Sequence, residues 1–345
     1  MRKIFYAIAV LLAVVSCENQ DIEFDDFEFQ AVYFPHQTPL RTIMLGDEVI
    51  GDNSIDRDHA FTIGAAIGGL YENSKNRELT IELAPDLTNN ITDADGNALQ
   101  ILPANYYNAT LENITIPKGS HFGKVRVDLT DDFFNDPLSI GLNYVIPVRI
   151  TAAQDSILQG DPATDVLDPD PRVSSDWNIT PKDYVLFGIK YINPTHGAYL
   201  LRGKRVNLTD TNEDPMIYSQ RFLDDNEVVK LATSSLTDSF MTTVGGTNKT
   251  SANDDFYSLK LTFDEANKTV AVSQKSGTTV VASGTGVYYS KDDDKSEGYN
   301  GKKHRTIYLD YTYDDNGNTY QVNDSLVFLD TEMTFEDFAV NVVIP

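Results

Sequence analysis

The chain has 345 residues, with 52 acidic against 27 basic side chains and a formal net charge of −25. So acidic a surface repels nucleic acid and anionic headgroups, which argues against both as partners. The single cysteine, Cys17, excludes an internal disulfide and a multi-thiolate metal centre. Stability must come from ordinary cores, and the length allows about two domains.

The chain opens with Arg2 and Lys3, an apolar run over residues 4–15, and then Val14-Val15-Ser16-Cys17. Positive, apolar, small, then cut is the order of an export signal. The run is shorter than the roughly 20 apolar residues of a membrane span. Its last four residues resemble a bacterial lipobox, whose cysteine is acylated and becomes the new N-terminus. This implies a signal peptide over 1–16, removal of which lowers the net charge to −27, and lipidation at Cys17. Acyl chains anchor at about 0.8 kcal/mol per buried CH₂, so membrane contact is expected through the lipid. A plain secreted protein with an incidental cysteine is the competing reading. Residues 17–30, acidic with Phe24, Phe27 and Phe29 interleaved, read as a tether leading into a first strand.

From 31 to 152 the dominant period is two. Phe61, Ile63, Ala65 and Ile67 share one face; so do Leu79, Ile81 and Leu83, then Val125, Val127 and Leu129, then Tyr144, Ile146, Val148 and Ile150. Strands buried on one side predict an antiparallel, Ig-like β-sandwich. Pro147 predicts an edge or a bulge for the last strand. Asp131-Asp132-Phe133-Phe134-Asn135 predicts one helical turn. Residues 153–182, with Gly160, Pro162, Pro169, Pro171 and Pro181 among aspartates, read as a stiff, extended linker.

A second β region is predicted over 183–345. Tyr257, Leu259, Leu261 and Phe263 alternate, and a turn over 264–267 leads to Val270 and Val272. Ile307, Leu309, Tyr311 and Tyr313 climb one face; Asp315-Asn316-Gly317-Asn318 turns the chain, and Tyr320, Val322, Leu326 and Phe328 return. Asn-Gly supplies the positive φ angles of a tight hairpin. About eight strands with short turns predict an up-and-down antiparallel barrel, with a second sandwich as the alternative. The fold expected is therefore all-β.

Several segments carry a family resemblance. They are Leu102-Pro103-Ala104-Asn105-Tyr106-Tyr107, Ile114-Thr115-Ile116-Pro117-Lys118-Gly119, Val125-Arg126-Val127-Asp128-Leu129-Thr130 and Tyr144-Val145-Ile146-Pro147. Together they resemble domain of unknown function 1735, found on surface lipoproteins of Bacteroidetes. Residues 183–194 and His196-Gly197-Ala198-Tyr199-Leu200 are similar to the lipocalin-like barrel often attached to it. The resemblance implies an outer-membrane, cell-surface location among glycan-import proteins, glycan-binding lipoproteins and glycosidases. The glycosidases that share the N-terminal domain carry a further catalytic barrel, for which this chain has no room. Such company is analogy for function.

Signatures of catalysis are missing from the sequence. No Gly-x-Ser-x-Gly elbow occurs, and at Thr247-Asn248-Lys249-Thr250 an asparagine replaces the glycine that a phosphate loop needs. The five histidines are scattered without metal-ligand spacing, so no metal and no cofactor are expected. His196 reads as a polar residue capping a turn, in preference to a catalytic one. Asp292-Asp293-Asp294 reads as a solvated loop tip. Asp93-Ala94-Asp95-Gly96-Asn97 reads as a turn, since it lacks the spacing and final glutamate of an EF-hand.

Sugar binding needs flat apolar faces with polar groups beside them. The candidates are Trp177, the only tryptophan, in the linker; Tyr71 beside Gly68-Gly69; and Tyr288, Tyr289 and Tyr299 around the acidic loop. For Trp177 the competing reading is a plug packing the linker onto one domain; for each tyrosine, a half-buried strand position. The leading expectation is a non-catalytic surface lipoprotein that binds a glycan or oligosaccharide or assists polysaccharide import. The alternatives are a carboxylate-dependent glycosidase and a lipocalin-like carrier of a small apolar ligand, which needs a hollow barrel.

Overall fold

The alternating segments form strands because one face of each is apolar and has another sheet to cover it. The computed structural model describes residues 26–49, 51–246, 259–277 and 280–343. The signal, Cys17, the first part of the tether including Phe24, and Tyr257 lie outside them. The first sheet has five strands, in the order Ser156–Ile157, Ala31–Tyr33, Ala60–Gly68, Phe122–Leu129, Tyr107–Asn108. The second runs Glu336–Asp337, Pro39–Met44, Tyr184–Ile192, Tyr144–Ala153, Arg77–Leu83, Asn113–Ile116, with Gln100–Ile101 also beside Tyr144–Ala153. Pairing is mostly antiparallel, with three parallel pairs. The sheets face each other over one core that includes Phe61, Ile63, Ile81, Val127, Ile146 and Val148. Phe61 and Phe187 stack across it with ring centroids 5.1 Å apart. Asp131–Asn135 forms the expected helical turn and buries Phe133 and Phe134 in the same core.

The second domain is a closed, eight-stranded antiparallel barrel. Its strands are Gly197–Asn207, Glu227–Thr233, Asp238–Met241, Leu259–Asp264, Thr269–Gln274, Ala282–Tyr289, Thr306–Asp315 and Asn318–Asp330. The last pairs with the first from Ala198↔Asp330 to Asn207↔Tyr320, which removes the sheet edges. The final hairpin turns on Asn316 at φ 50° and Gly317 at φ 80°, as Asn-Gly predicts. Tyr311, Tyr313 and Phe328 point inward and pack with Tyr199, Leu261, Ile307 and Val322. Side chains thus occupy the interior where a carrier of an apolar ligand needs a hollow. One inward carboxylate interrupts this core. Asp324 is 3% exposed and accepts hydrogen bonds from the hydroxyls of Tyr218 and Tyr311.

Four features depart from the expected layout. Tyr184–Ile192 does not open the barrel but lies inside the second sandwich sheet, between Tyr144–Ala153 and Pro39–Met44. The strand is buried along nearly its whole length because both of its faces are covered. One meets the sandwich core; the other meets a smaller cluster of Leu87, Ile91, Leu99 and Phe338. Consequently residues 153–182 do not bridge domains. They fold back onto the sandwich through the Ala31↔Ser156 pairing and through Arg172, which donates to the carbonyls of Leu87 (3.0 Å) and Asn89 (2.6 Å). After the barrel the chain also returns to the sandwich: Glu336–Asp337 pairs with Pro39–Met44, and Asn341–Val342 with Ile91–Thr92.

Pro147 is the fourth departure, for it sits in a central strand. On one side of that strand the ladder passes from Gln100–Ile101, which ends opposite Val145, to Arg77–Leu83, which starts opposite Val148. The missing N–H of Pro147 falls in this gap, and its carbonyl accepts from Ala84 N–H at 3.0 Å.

Candidate functional site

The domains meet at the short connection over residues 193–196. Asn193 is buried there; its Nδ2 donates to the carbonyls of Ser235 (2.9 Å) and Asp238 (2.8 Å), and its N–H to Thr233 Oγ1 (3.0 Å). His196 Nδ1 accepts from Thr233 N–H at 3.1 Å. Burial pushes its pKa down to about 4, so the ring is neutral and works as a turn-fixing acceptor. Arg305 clamps the connection from the barrel. Its guanidinium is 1% exposed, donates to Pro194 O and to Tyr199 Oη (3.0 Å), and lies 4.3 Å from the Phe328 ring. The sandwich answers with the loop after Pro39–Met44. Asp47 Oδ1 is 3.8 Å from Arg305 Nη1, while Glu48 accepts from Arg305 N–H (2.8 Å) and pairs with His304 (3.1 Å). This buried guanidinium and its half-buried partners, mutually engaged, hold the two domains in register.

Beside this clamp a cleft of about 700 Å³ opens between the domains. Leu45, Pro194, Leu236 and Phe263 give it an apolar lining. Arg57 and His59 stand on the sandwich wall; Thr237, Asp264 and Glu265 stand on the barrel wall. A second hollow of about 310 Å³ shares Leu45, Pro194 and Glu265, and adds Asp47, Lys268, Tyr288 and Ser290. The sandwich wall is built by the helical turn Ser54–Arg57. Its buried Asp56 accepts Met44 N–H (3.0 Å), pairs with Arg41, and through its carbonyl accepts His59 N–H (2.9 Å). His59 adopts φ 56°, uncommon for a non-glycine residue, and its ring packs 4.2 Å from that of Phe134. The barrel wall is the turn after Leu259–Asp264. Asp264 accepts from Asn267 through N–H (3.1 Å) and Nδ2 (2.8 Å), which hold its carboxyl below the usual carboxylate range.

Of the aromatic candidates, Tyr288 alone lines this junction, in the smaller hollow with its edge against Phe263 at 5.9 Å. Tyr289, one residue on, faces outward and packs on Tyr308 at 6.1 Å, with Lys295 Nζ 5.5 Å from its ring. Tyr299 stacks on His304 at 4.2 Å, on the barrel side of the clamp. Tyr71 is exposed on a sandwich loop, its N–H bonded to Asp26 Oδ1 at 2.6 Å. Trp177 is half-buried in the fold-back segment and donates from Nε1 to Asp170 O at 2.8 Å. A Cβ on Gly160 would lie 2.9 Å from the Trp177 ring, so backbone packs closely on the indole, as a plug requires. The domain junction expected near Trp177 is instead at residues 193–196.

Arg57, His59, Thr237 and Glu265 escaped the sequence reading, because only folding brings their turns together. Asp93 binds Asp95 N–H (3.0 Å), Asn97 N–H (2.8 Å) and Asn97 Nδ2 (3.0 Å), which makes 93–97 the expected turn. Among the described residues no three His, Cys, Asp or Glu side chains are grouped to hold a metal ion.

A family model described as "-like, N-terminal domain" matches residues 25–157, and the domain of unknown function DUF5627 matches residues 194–332. No functionally curated protein matches the chain. An auxiliary nutrient binding protein from Bacteroides thetaiotaomicron is 15% identical, with a TM-score of 0.39 over 81% of this chain and 87% of its own. A multidomain Bacteroides ovatus protein that includes DUF1735 is 12% identical, with a TM-score of 0.31 over 71% of this chain and 81% of its own. A Bacteroides ovatus protein of unknown function, known from a crystal structure, is 36% identical with a TM-score of 0.82, over 92% of this chain and all of that one. Identity and fold agree across both domains, and the chain belongs to the same family as that Bacteroides ovatus protein.

Proposed function

We propose that this chain is a non-catalytic lipoprotein of the outer membrane surface that holds a glycan in the junction cleft and serves a polysaccharide-import system. The observation that carries this reading is the cleft itself. It lies between domains, is lined by Leu45, Pro194, Leu236 and Phe263, and has polar groups on two opposed walls. Apolar surface for sugar C–H groups with polar groups for hydroxyls is what a saccharide site needs, and domain junctions commonly supply it. Its volume falls in the range of about 300–1,000 Å³ typical of small-molecule sites. The export signal over 1–16, followed at once by Cys17, supports delivery and anchoring.

The geometry favours holding over hydrolysis. Asp264 and Glu265, the carboxylates of the larger hollow, are neighbours on one wall, and Asp47 across the smaller one is engaged by Lys291 and Arg305, whereas glycoside hydrolysis needs two carboxyl groups flanking the bond. Asp264 is further held below the usual carboxylate range, opposite to what a general acid requires.

Affinity electrophoresis of the soluble form in host and plant polysaccharides tests the binding claim. The expected result is retardation by at least one glycan, abolished by Thr237→Trp, which fills the cleft from an exposed position. Retardation untouched by that substitution would place the sugar elsewhere. Mass spectrometry of the native N-terminus tests the anchor: an acylated Cys17 is expected, and an unmodified chain with residues 1–16 intact would contradict it.

A further inference from the structure

We infer that the junction cleft selects an acidic glycan, with Arg57 taking the carboxylate or sulfate of the sugar and Glu265 taking hydroxyls from the facing wall. This rests on the binding role proposed above and names the ligand class. Most charges around the junction are already engaged. Asp47 faces Lys291 and Arg305, both at 3.8 Å, and both oxygens of Glu48 are taken by His304 and Arg305 N–H. Lys268 is paired with Asp293 at 2.5 Å, and Asp264 is capped by Asn267. Asp58, next to Arg57 in sequence, turns to Arg126 at 3.8 Å. Asp52 is close enough to feel the charge of Arg57, but its carboxylate accepts Ser54 N–H at 2.8 Å.

Among the described residues, the charged groups lining the larger hollow with no hydrogen-bonded or ion-paired side-chain partner are Arg57 and Glu265. They stand on different domains across one cleft, and because Asp264 and Glu265 make the barrel wall acidic, like the surface as a whole, the anionic group of the ligand is confined to the Arg57 wall and its neutral hydroxyls face Glu265. A guanidinium presents planar paired donors that match a carboxylate or sulfate, and a carboxylate accepts from neighbouring sugar hydroxyls. His59 adds a ring nitrogen beside Arg57. Its direction is fixed by the left-handed backbone, by the Phe134 contact, and by Leu129 N–H donating to its carbonyl at 2.7 Å. A pre-set ring reduces the ordering cost on binding. The smaller hollow continues past Pro194 and Leu45, which gives room for more than one sugar unit.

The test uses probe pairs that differ in charge, measured by calorimetry on the soluble protein. They are sialyllactose and lactose, oligogalacturonate and its methyl ester, and sulfated and desulfated chondroitin oligosaccharides. The first two pairs probe a carboxylate and the third a sulfate. The acidic member of at least one pair is expected to bind tenfold or more tighter than its neutral partner. Arg57→Gln should erase that preference, Arg57→Lys should keep part of it, and Glu265→Gln should weaken both members by a similar factor. Equal binding of both members in every pair overturns the acidic assignment and leaves the binding role standing. So does an Arg57→Gln variant of unchanged melting temperature that still discriminates. If no member of any pair binds, the acidic assignment falls, while the binding role stands or falls with the polysaccharide retardation described above.

Discussion

The two domains are assembled in opposite ways. The barrel is one unbroken stretch, Gly197 to Asp330, in which nearly every strand pairs with the next in sequence. The sandwich gathers strands from three places: the stretch up to Ser156–Ile157, the later Tyr184–Ile192, and the tail beyond the barrel. Local contacts therefore suffice to complete the barrel, while the sandwich waits for chain that comes later. The contrast also explains the clamp at residues 193–196. Because sandwich strands bracket the barrel in sequence, both ends of the barrel are tied to the same neighbour.

The largest expected effect comes from cutting the chain where composition alone suggests a boundary. A fragment over 26–182 lacks Tyr184–Ile192 and leaves both faces of its gap open, so it is expected to show no cooperative melt. A fragment over 194–332 is expected to melt cooperatively by circular dichroism. A folded 26–182 fragment would show that the sandwich closes without Tyr184–Ile192 and the tail.

Next is Phe338→Ala. Phe338 is 8% exposed and packs over Gly188, where a Cβ would meet its ring at 2.7 Å. Truncating such a side chain costs about 3–5 kcal/mol. The loss should appear in the denaturant transition of the sandwich and spare that of the barrel; a negligible loss would make the tail a passive passenger.

Asp324 sharpens the barrel side. Burial pushes its carboxyl from 3.8 up to about 6, against the opposing hydrogen bonds from Tyr218 and Tyr311. The folded barrel thus holds this proton more tightly than the unfolded chain does. Its contribution is fully present below pH 4, falls as pH rises through 6, and is constant above that. The slope corresponds to about 3 kcal/mol, at 1.36 kcal/mol per pKa unit. Asp324→Asn should flatten the barrel's stability between pH 4 and 6, measured by urea melts; an unchanged slope would show that the group is not the source. The smallest effect is Gly317→Ala, at φ 80° in the hairpin, expected to cost the barrel about 1 kcal/mol and the sandwich nothing.

Legibility in the sequence follows the same divide. The barrel hairpin over 306–330 reads directly from alternation and Asn-Gly, because the residues that determine it are adjacent. Phe61, Ile63, Leu79 and Ile81 likewise declare a sandwich. Tyr184–Ile192 carried a signal of its own, nine residues with hardly a polar break, the mark of a strand covered on both faces. Its placement was hidden, since nothing local says which domain supplies the cover. Asp324 falls in step with Val322 and Leu326, but a carboxylate on an apolar face reads as an interruption until Tyr218 is seen beside it. The cleft was the least legible. Its walls come from turns at 57–59, 194–195, 236–237 and 263–265, where turn chemistry conceals any second role.

The most direct measurement is a crystal structure of the soluble protein with its tightest-binding oligosaccharide. Sugar density is expected between Arg57 and Glu265, with a sugar face against Leu236 or Phe263. Density confined to Tyr71, Tyr289 or the outer barrel wall, with the cleft holding only solvent, would contradict it.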